Sequence, residues 1–159
     1  VVHIITLVIH IFGFGLLVTV MVAGFILHRQ YKKAPDLQSK AIILKAARPI
    51  GLISPVAILL MLVTGIGNMH AIGVGLFDLG WLSAKIAVFV VAALSGTLMG
   101  VTARKRGALV GQMAAGKAPE DADRRLGGYD RQMAIFYVVM PLLLLVILCL
   151  TVYGRLGGQ

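Results

Sequence analysis

The sequence predicts an all-α, polytopic membrane protein: one bundle of four transmembrane helices, with both termini outside and two basic loops in the cytoplasm. Three observations carry this. The chain of 159 residues is 59% hydrophobic and only 13% charged, and its mean hydropathy of +0.96 is far too apolar for a soluble domain of this length. A hydrocarbon core about 30 Å thick needs roughly 20 apolar residues per helix, so the chain supplies about four spans in one membrane domain, 1–159. Lysine and arginine, finally, are concentrated in two polar segments between those spans.

The first span covers about 2–27, "VHIITLVIHIFGFGLLVTVMVAGFIL", and contains no Asp, Glu, Lys or Arg. It is longer than the apolar region of a signal peptide and reads as a retained helix. The other spans cover about 49–72, 80–103 and 132–153. Segment 29–48 carries Arg29, Lys32, Lys33, Lys40, Lys45 and Arg48 against Asp36, and segment 104–131 carries Arg104, Lys105, Arg106, Lys117, Arg124, Arg125 and Arg131. The turn 73–80 has no basic residue. By the positive-inside rule both basic segments are cytoplasmic, and the termini and the Asp78 turn are outside. The same segments account for the net charge of +9. Placed beside membrane ends, they suit the anionic head groups of the lipid bilayer and not nucleic acid. Within 104–131 a solvated loop is expected, with a short helix starting near Pro119, because Glu120 and Asp121 favour a helix N-terminus.

Several chemistries are excluded. Cys149 is the only cysteine, so no intramolecular disulfide or thiolate metal cluster can form. Zinc-finger, phosphate-loop, dinucleotide and nucleophile-elbow patterns are absent, and no pair of carboxylates lies within the spans. The methionines form no cluster that would favour copper. Pro55 and Pro141 should kink the second and fourth helices, and Gly96 with Gly100 should give the third a close-packing strip.

What remains is the placement of ionisable groups. At about 100° per residue, His3, His10 and His28 share one face of the first helix with Gly13 and Gly24. Those glycines would admit another backbone or a flat ligand, so this face should point into the bundle. His10 lies roughly 12 Å below the outer end of its span, with Lys85 of the third span about 7 Å in from the same side. His70 is near the outer end of the second span and His28 at the cytoplasmic end of the first. Two readings stay open. In one, His3, His28 and His70 are interfacial, His10 bonds a neighbouring carbonyl, and Lys85 snorkels toward water, head groups or Asp78. In the other, a neutral His10 imidazole ligates haem iron while Lys85 pairs with a propionate or is a second ligand, with His3, His70 and His28 as secondary candidates. No catalytic residue is assigned.

The order of features resembles the bacterial four-helix membrane superfamily of HemJ-type protoporphyrinogen oxidases and CopD-like copper-resistance domains, together with uncharacterised relatives. The residues that carry it are the histidine of "LVIHIFGFG", "RPIGLISPVAILLMLVTGI" at 48–66, the Trp81, Leu82 and Lys85 of "GWLSAKIAVFVV", and "VVMPLLLLVILCL" in the fourth span. The resemblance implies His10 and Lys85 as the residues linked to haem and activity. The first helix continues as "LLVTVMVAGFILH", without the proline and arginine usual in HemJ-type proteins, which favours an uncharacterised relative. The expectation is a small haem b-associated redox protein of the bacterial cytoplasmic membrane and, if an enzyme, a membrane oxidoreductase. The alternative is a non-catalytic accessory subunit, packed in a homo-oligomer or in a larger respiratory, photosynthetic or transport complex.

Overall fold

The computed structural model describes residues 2–157, in five helices and, among these residues, no strand. They are α1 (Val2–Lys33), α2 (Leu37–Gly51), α3 (Ile53–Ala71), α4 (Gly80–Ala114) and α5 (Ala122–Arg155). Four helical stretches are long and apolar enough to cross a membrane: α1, the α2–α3 run, α4 and α5. In hydrocarbon a backbone must satisfy its own hydrogen bonds, and a helix does so within one segment.

The helices do not stop where the apolar runs stop. α1 continues through Arg29 to Lys33, α4 continues through Arg104 to Ala114, and α5 begins at Ala122, well before the fourth apolar run. The expected loops 29–48 and 104–131 are therefore mostly helical, and the short helix expected near Pro119 is the first part of α5. The reason is local: Ala, Arg, Lys, Gln, Met and Leu are good helix formers, so a polar surface does not end the helix. What ends α4 is the turn at Gly116, whose φ of +70° is the left-handed conformation glycine adopts readily.

α2 starts at an N-cap, Asp36, whose side chain accepts the Ser39 N–H at 2.7 Å and the Ser39 hydroxyl at 3.2 Å. The Ser39 N–H, first among these contacts, holds the Asp36 carboxyl below the usual carboxylate range. The chain breaks between α2 and α3 at Leu52. Pro55 has no N–H to give the Gly51 carbonyl, so it interrupts the ladder there and itself sits in the first turn of α3, where proline is tolerated. Pro141, expected to kink the fourth span, lies inside an α5 that runs unbroken from Ala122 to Arg155.

Packing is by antiparallel pairs, α1 with α3 and α4 with α5. On α1 the residues Thr6, His10, Gly13 and Leu17 meet Asn68, Thr64, Met61 and Ala57 of α3. Spacings of four and three on both helices are those of knobs-into-holes packing. Gly13 permits the approach: a Cβ there would lie 3.0 Å from Met61 Cγ and 3.5 Å from the Ala57 carbonyl oxygen. In the second pair Met140 of α5 packs toward Gly96, and the Trp81 indole covers Gly154. Gly100 has nothing near its missing side chain, so of the two glycines only Gly96 faces the partner helix. Between the pairs, Phe89 of α4 reaches the Leu17–Ala57–Met61 cluster, and α2 packs against both α1 and α4. Large apolar side chains such as Val8, Phe12, Leu94 and Val138 point outward, the arrangement suited to lipid as solvent.

The Trp81–Gly154 contact yields a paired test. A Cβ at Gly154 would stand 2.5 Å from the indole, so Gly154→Ala should lower stability by about 1–3 kcal/mol. Gly100→Ala, in open space, should be neutral or stabilising by up to about 1 kcal/mol. Equilibrium unfolding in detergent, followed by far-UV circular dichroism, measures both.

Candidate functional site

Two polar clusters interrupt the apolar packing, one toward each end of the molecule. The first is built on the α1–α3 seam. His10 is half-buried, and its Nδ1 lies 2.9 Å from the hydroxyl of buried Thr64. That hydroxyl donates its single proton to the Leu60 carbonyl at 2.5 Å, the usual back-bond of a helical threonine. Its oxygen is then an acceptor for His10, the arrangement in which Nδ1 carries the hydrogen and Nε2 keeps its lone pair, and the Met61 carbonyl is a second acceptor beside the ring. Gly65 makes room for the ring, since a Cβ there would lie 3.4 Å from His10 Cε1. One turn away the Thr6 hydroxyl donates to Asn68 Oδ1 at 2.6 Å and is also 3.0 Å from the His3 carbonyl.

Lys85 of α4 is half-buried and within electrostatic reach of His10. Both residues that the sequence singles out are thus half-buried, and the Lys85 charge acts on His10 across the gap between α4 and α1. The secondary candidates do not join them: His3 and His70 are exposed, and His28 is at the other end of α1. Among the described residues no three of His, Cys, Asp and Glu converge on a metal-sized site. Of the two approaches expected at the glycines, another backbone or a flat ligand, protein occupies both positions. Gly13 is closed by Met61 and Ala57, and at Gly24 a Cβ would stand 2.7 Å from the Tyr137 hydroxyl. Cys149 is exposed on α5.

The second cluster lies at the basic end and was not legible in the sequence. Arg106 of α4 is 2% exposed, yet charged. Its guanidinium lies 3.7 Å from the ring centroid of Tyr31, itself 1% exposed, and its Nε is 2.8 Å from Asp130 Oδ1 of α5. Lys40 of α2 approaches the same tyrosine ring at 5.5 Å, so all the helices except α3 contribute. Tyr137 continues the cluster, its ring 5.1 Å from that of His28 and 6.1 Å from Phe25. Arg106 Nη2, the Tyr31 hydroxyl and His28 Nδ1 are buried without a protein hydrogen-bond partner. Beside this cluster a cavity of about 150 Å³ opens between α1 and α5, lined by Met21, Val22, Phe25, Tyr137 and Pro141. That is below the roughly 300 Å³ at which small-molecule pockets begin.

The signal that could have located this cluster is periodic. Ala92, Gly96, Arg106 and Val110 continue one heptad face of α4, and Asp130, Met133, Tyr137, Met140, Leu144 and Ile147 continue one of α5, straight through the charged region. Fold and site together define an all-α integral membrane protein with four apolar spans. Comparison with family models, curated proteins and solved structures finds no match.

Two predictions come from these clusters. Thr64→Val keeps the shape of the side chain but removes the acceptor of His10 Nδ1–H. It should cost about 1 kcal/mol and turn one imidazole tautomer into a mixture, read by ¹⁵N shifts of labelled histidine. Arg106→Met leaves Asp130 beside a buried site without its cation and should cost about 3–5 kcal/mol. The double change Arg106→Met with Asp130→Leu should recover most of that loss in the same unfolding assay.

Proposed function

We propose that this chain is a small haem-associated redox protein of the bacterial cytoplasmic membrane, related to the HemJ-like superfamily. The observation that carries the reading is the His10–Thr64–Leu60 hydrogen-bond chain. A histidine that ligates a metal donates its other ring N–H to a fixed acceptor, which sets the tautomer and the ring plane. His10 has that arrangement, and Nε2 is its remaining donor atom.

The residues present suit haem b in kind: one neutral imidazole nitrogen for the iron and one cation, Lys85, for a propionate or for the second axial position. When bound, haem supplies a one-electron change at iron. Thr64 orients His10, Gly65 leaves space for the ring, and Lys85 places positive charge where an added electron or an anionic substituent is stabilised. Phe89, one turn from Lys85, packs onto the apolar cluster of Leu17, Ala57 and Met61. By the positive-inside rule, the end bearing Arg29–Lys33 and Arg104–Arg106 faces the cytoplasm and the His10–Lys85 end faces outward.

A second reading rests on another observation. The two helix pairs share few contacts along their apolar halves, and much apolar surface points outward. A subunit of a larger respiratory, photosynthetic or transport complex, or of a homo-oligomer, would use such surface for packing.

A reduced-minus-oxidised absorption spectrum of the detergent-purified protein separates the two. The first reading expects a haem signal that is lost in His10→Ala and unchanged in His28→Ala. In Lys85→Gln it expects a lower midpoint potential if the lysine acts as a charge, and a shifted absorption band if it acts as a ligand. A flat spectrum from folded protein, with co-purifying subunits, would overturn the haem reading in favour of the second.

A further inference from the structure

The groove between α1 and α5 has a consistent chemical gradient along its length. Its walls, Met21, Val22, Phe25, Tyr137 and Pro141, are apolar apart from one phenol. Toward the basic end the next residues of α1 turn polar and cationic. The exposed Arg29 guanidinium sits 5.6 Å from the centroid of the Phe25 ring, which itself lines the groove. His28 lies against Tyr137, the other aromatic wall, and its buried Nδ1 has no protein partner. Exposed Lys32 and Lys33 follow within about one turn. Asp130 is the acidic group facing His28, and it is already engaged by Arg106.

We propose that this groove is a binding site for one anionic phospholipid, with an acyl chain along Met21, Val22, Phe25 and Pro141 and the phosphate at Arg29. The argument is complementarity at both ends of one ligand. An apolar slot open to the hydrocarbon accepts a chain, and a cation anchored on the slot's own aromatic wall accepts the phosphate through charge-assisted hydrogen bonds. Basic pockets between membrane helices on the positively charged side are where anionic head groups bind. The Arg29 guanidinium is within cation–π range of Phe25, which biases its side chain toward the slot. Free phosphate would use the cation but gain nothing from the slot, so the site assigns the ligand to the lipid. The site is separate from His10 and Lys85, and its test does not depend on haem.

Native mass spectrometry of the full chain, released from detergent micelles doped with phosphatidylglycerol or phosphatidylcholine, reads the site directly. The wild type should retain one phosphatidylglycerol in preference to phosphatidylcholine, and millimolar inorganic phosphate should not displace it. Arg29→Gln should lower the preference about tenfold, the loss expected for one hydrogen bond to a charged acceptor. Val22→Trp, at a half-exposed wall position, should abolish retention of either lipid by filling the slot. Arg124→Gln, an exposed cation on α5, controls for general surface charge and should leave retention unchanged. Equal retention of both lipids, an unchanged preference in Arg29→Gln, or displacement by phosphate would each overturn the proposal. Circular dichroism of each variant confirms the helix content against which retention is compared.

Discussion

The buried Arg106 guanidinium is the constraint on which the arrangement of the other helices depends. Within hydrocarbon the hydrophobic effect does not draw helices together, because lipid tails are as apolar as leucine. Association must come from close packing and polar contacts, and along the apolar halves the two helix pairs have little of either. At the basic end the situation is reversed. A guanidinium stacked on Tyr31 and paired to Asp130 joins α1, α4 and α5, with Lys40 of α2 on the same ring. Removing a charge of this size from water is costly, so the geometry persists only while both partners stay in place. That junction is also where α4 meets α1, through Arg106 and Tyr31.

Within the α1–α3 pair the polar residues serve packing and chemistry at once. Thr6 with Asn68 and His10 with Thr64 occupy the same seam as Gly13 with Met61. A hydrogen bond across this seam satisfies groups that lipid cannot, which fixes the register of the two helices. The same bond commits one ring nitrogen of His10 and leaves the other. A purely structural histidine would need no more than this, and a ligating one would need no less. The distinction therefore rests on what the second nitrogen meets, and on the cation of Lys85 beside it.

The membrane class and the four spans were legible because each follows from composition or from length counted at 1.5 Å per residue. The basic end was not. Reading charge density as a loop signal placed Arg106 and Asp130 in solvent, whereas the helical repeat that buries them runs on through 104–114 and 122–131. The face containing His3, His10 and His28 was derived correctly as a line on a cylinder, but a line does not say which neighbour covers each point. α3 covers His10, Tyr137 of α5 covers His28, and His3 stays exposed. The two glycines on that face were read as room for another backbone or a flat ligand; α3 closes on Gly13 and Tyr137 of α5 on Gly24, because helix rotation, which the sequence does not encode locally, decides what fills the room.

α4 is one uninterrupted helix from Gly80 to Ala114. At 1.5 Å per residue it is about 52 Å long, against a hydrocarbon core of about 30 Å. It is thus a rod with Arg106 as its fulcrum and Lys85 on a long arm about 32 Å away. A tilt of about 5° at the fulcrum displaces the far end by about 3 Å, the difference between contact and separation for a side-chain pair. A small rotation about the Arg106 end of this rod would thus appear as a change of spacing at its Lys85 end.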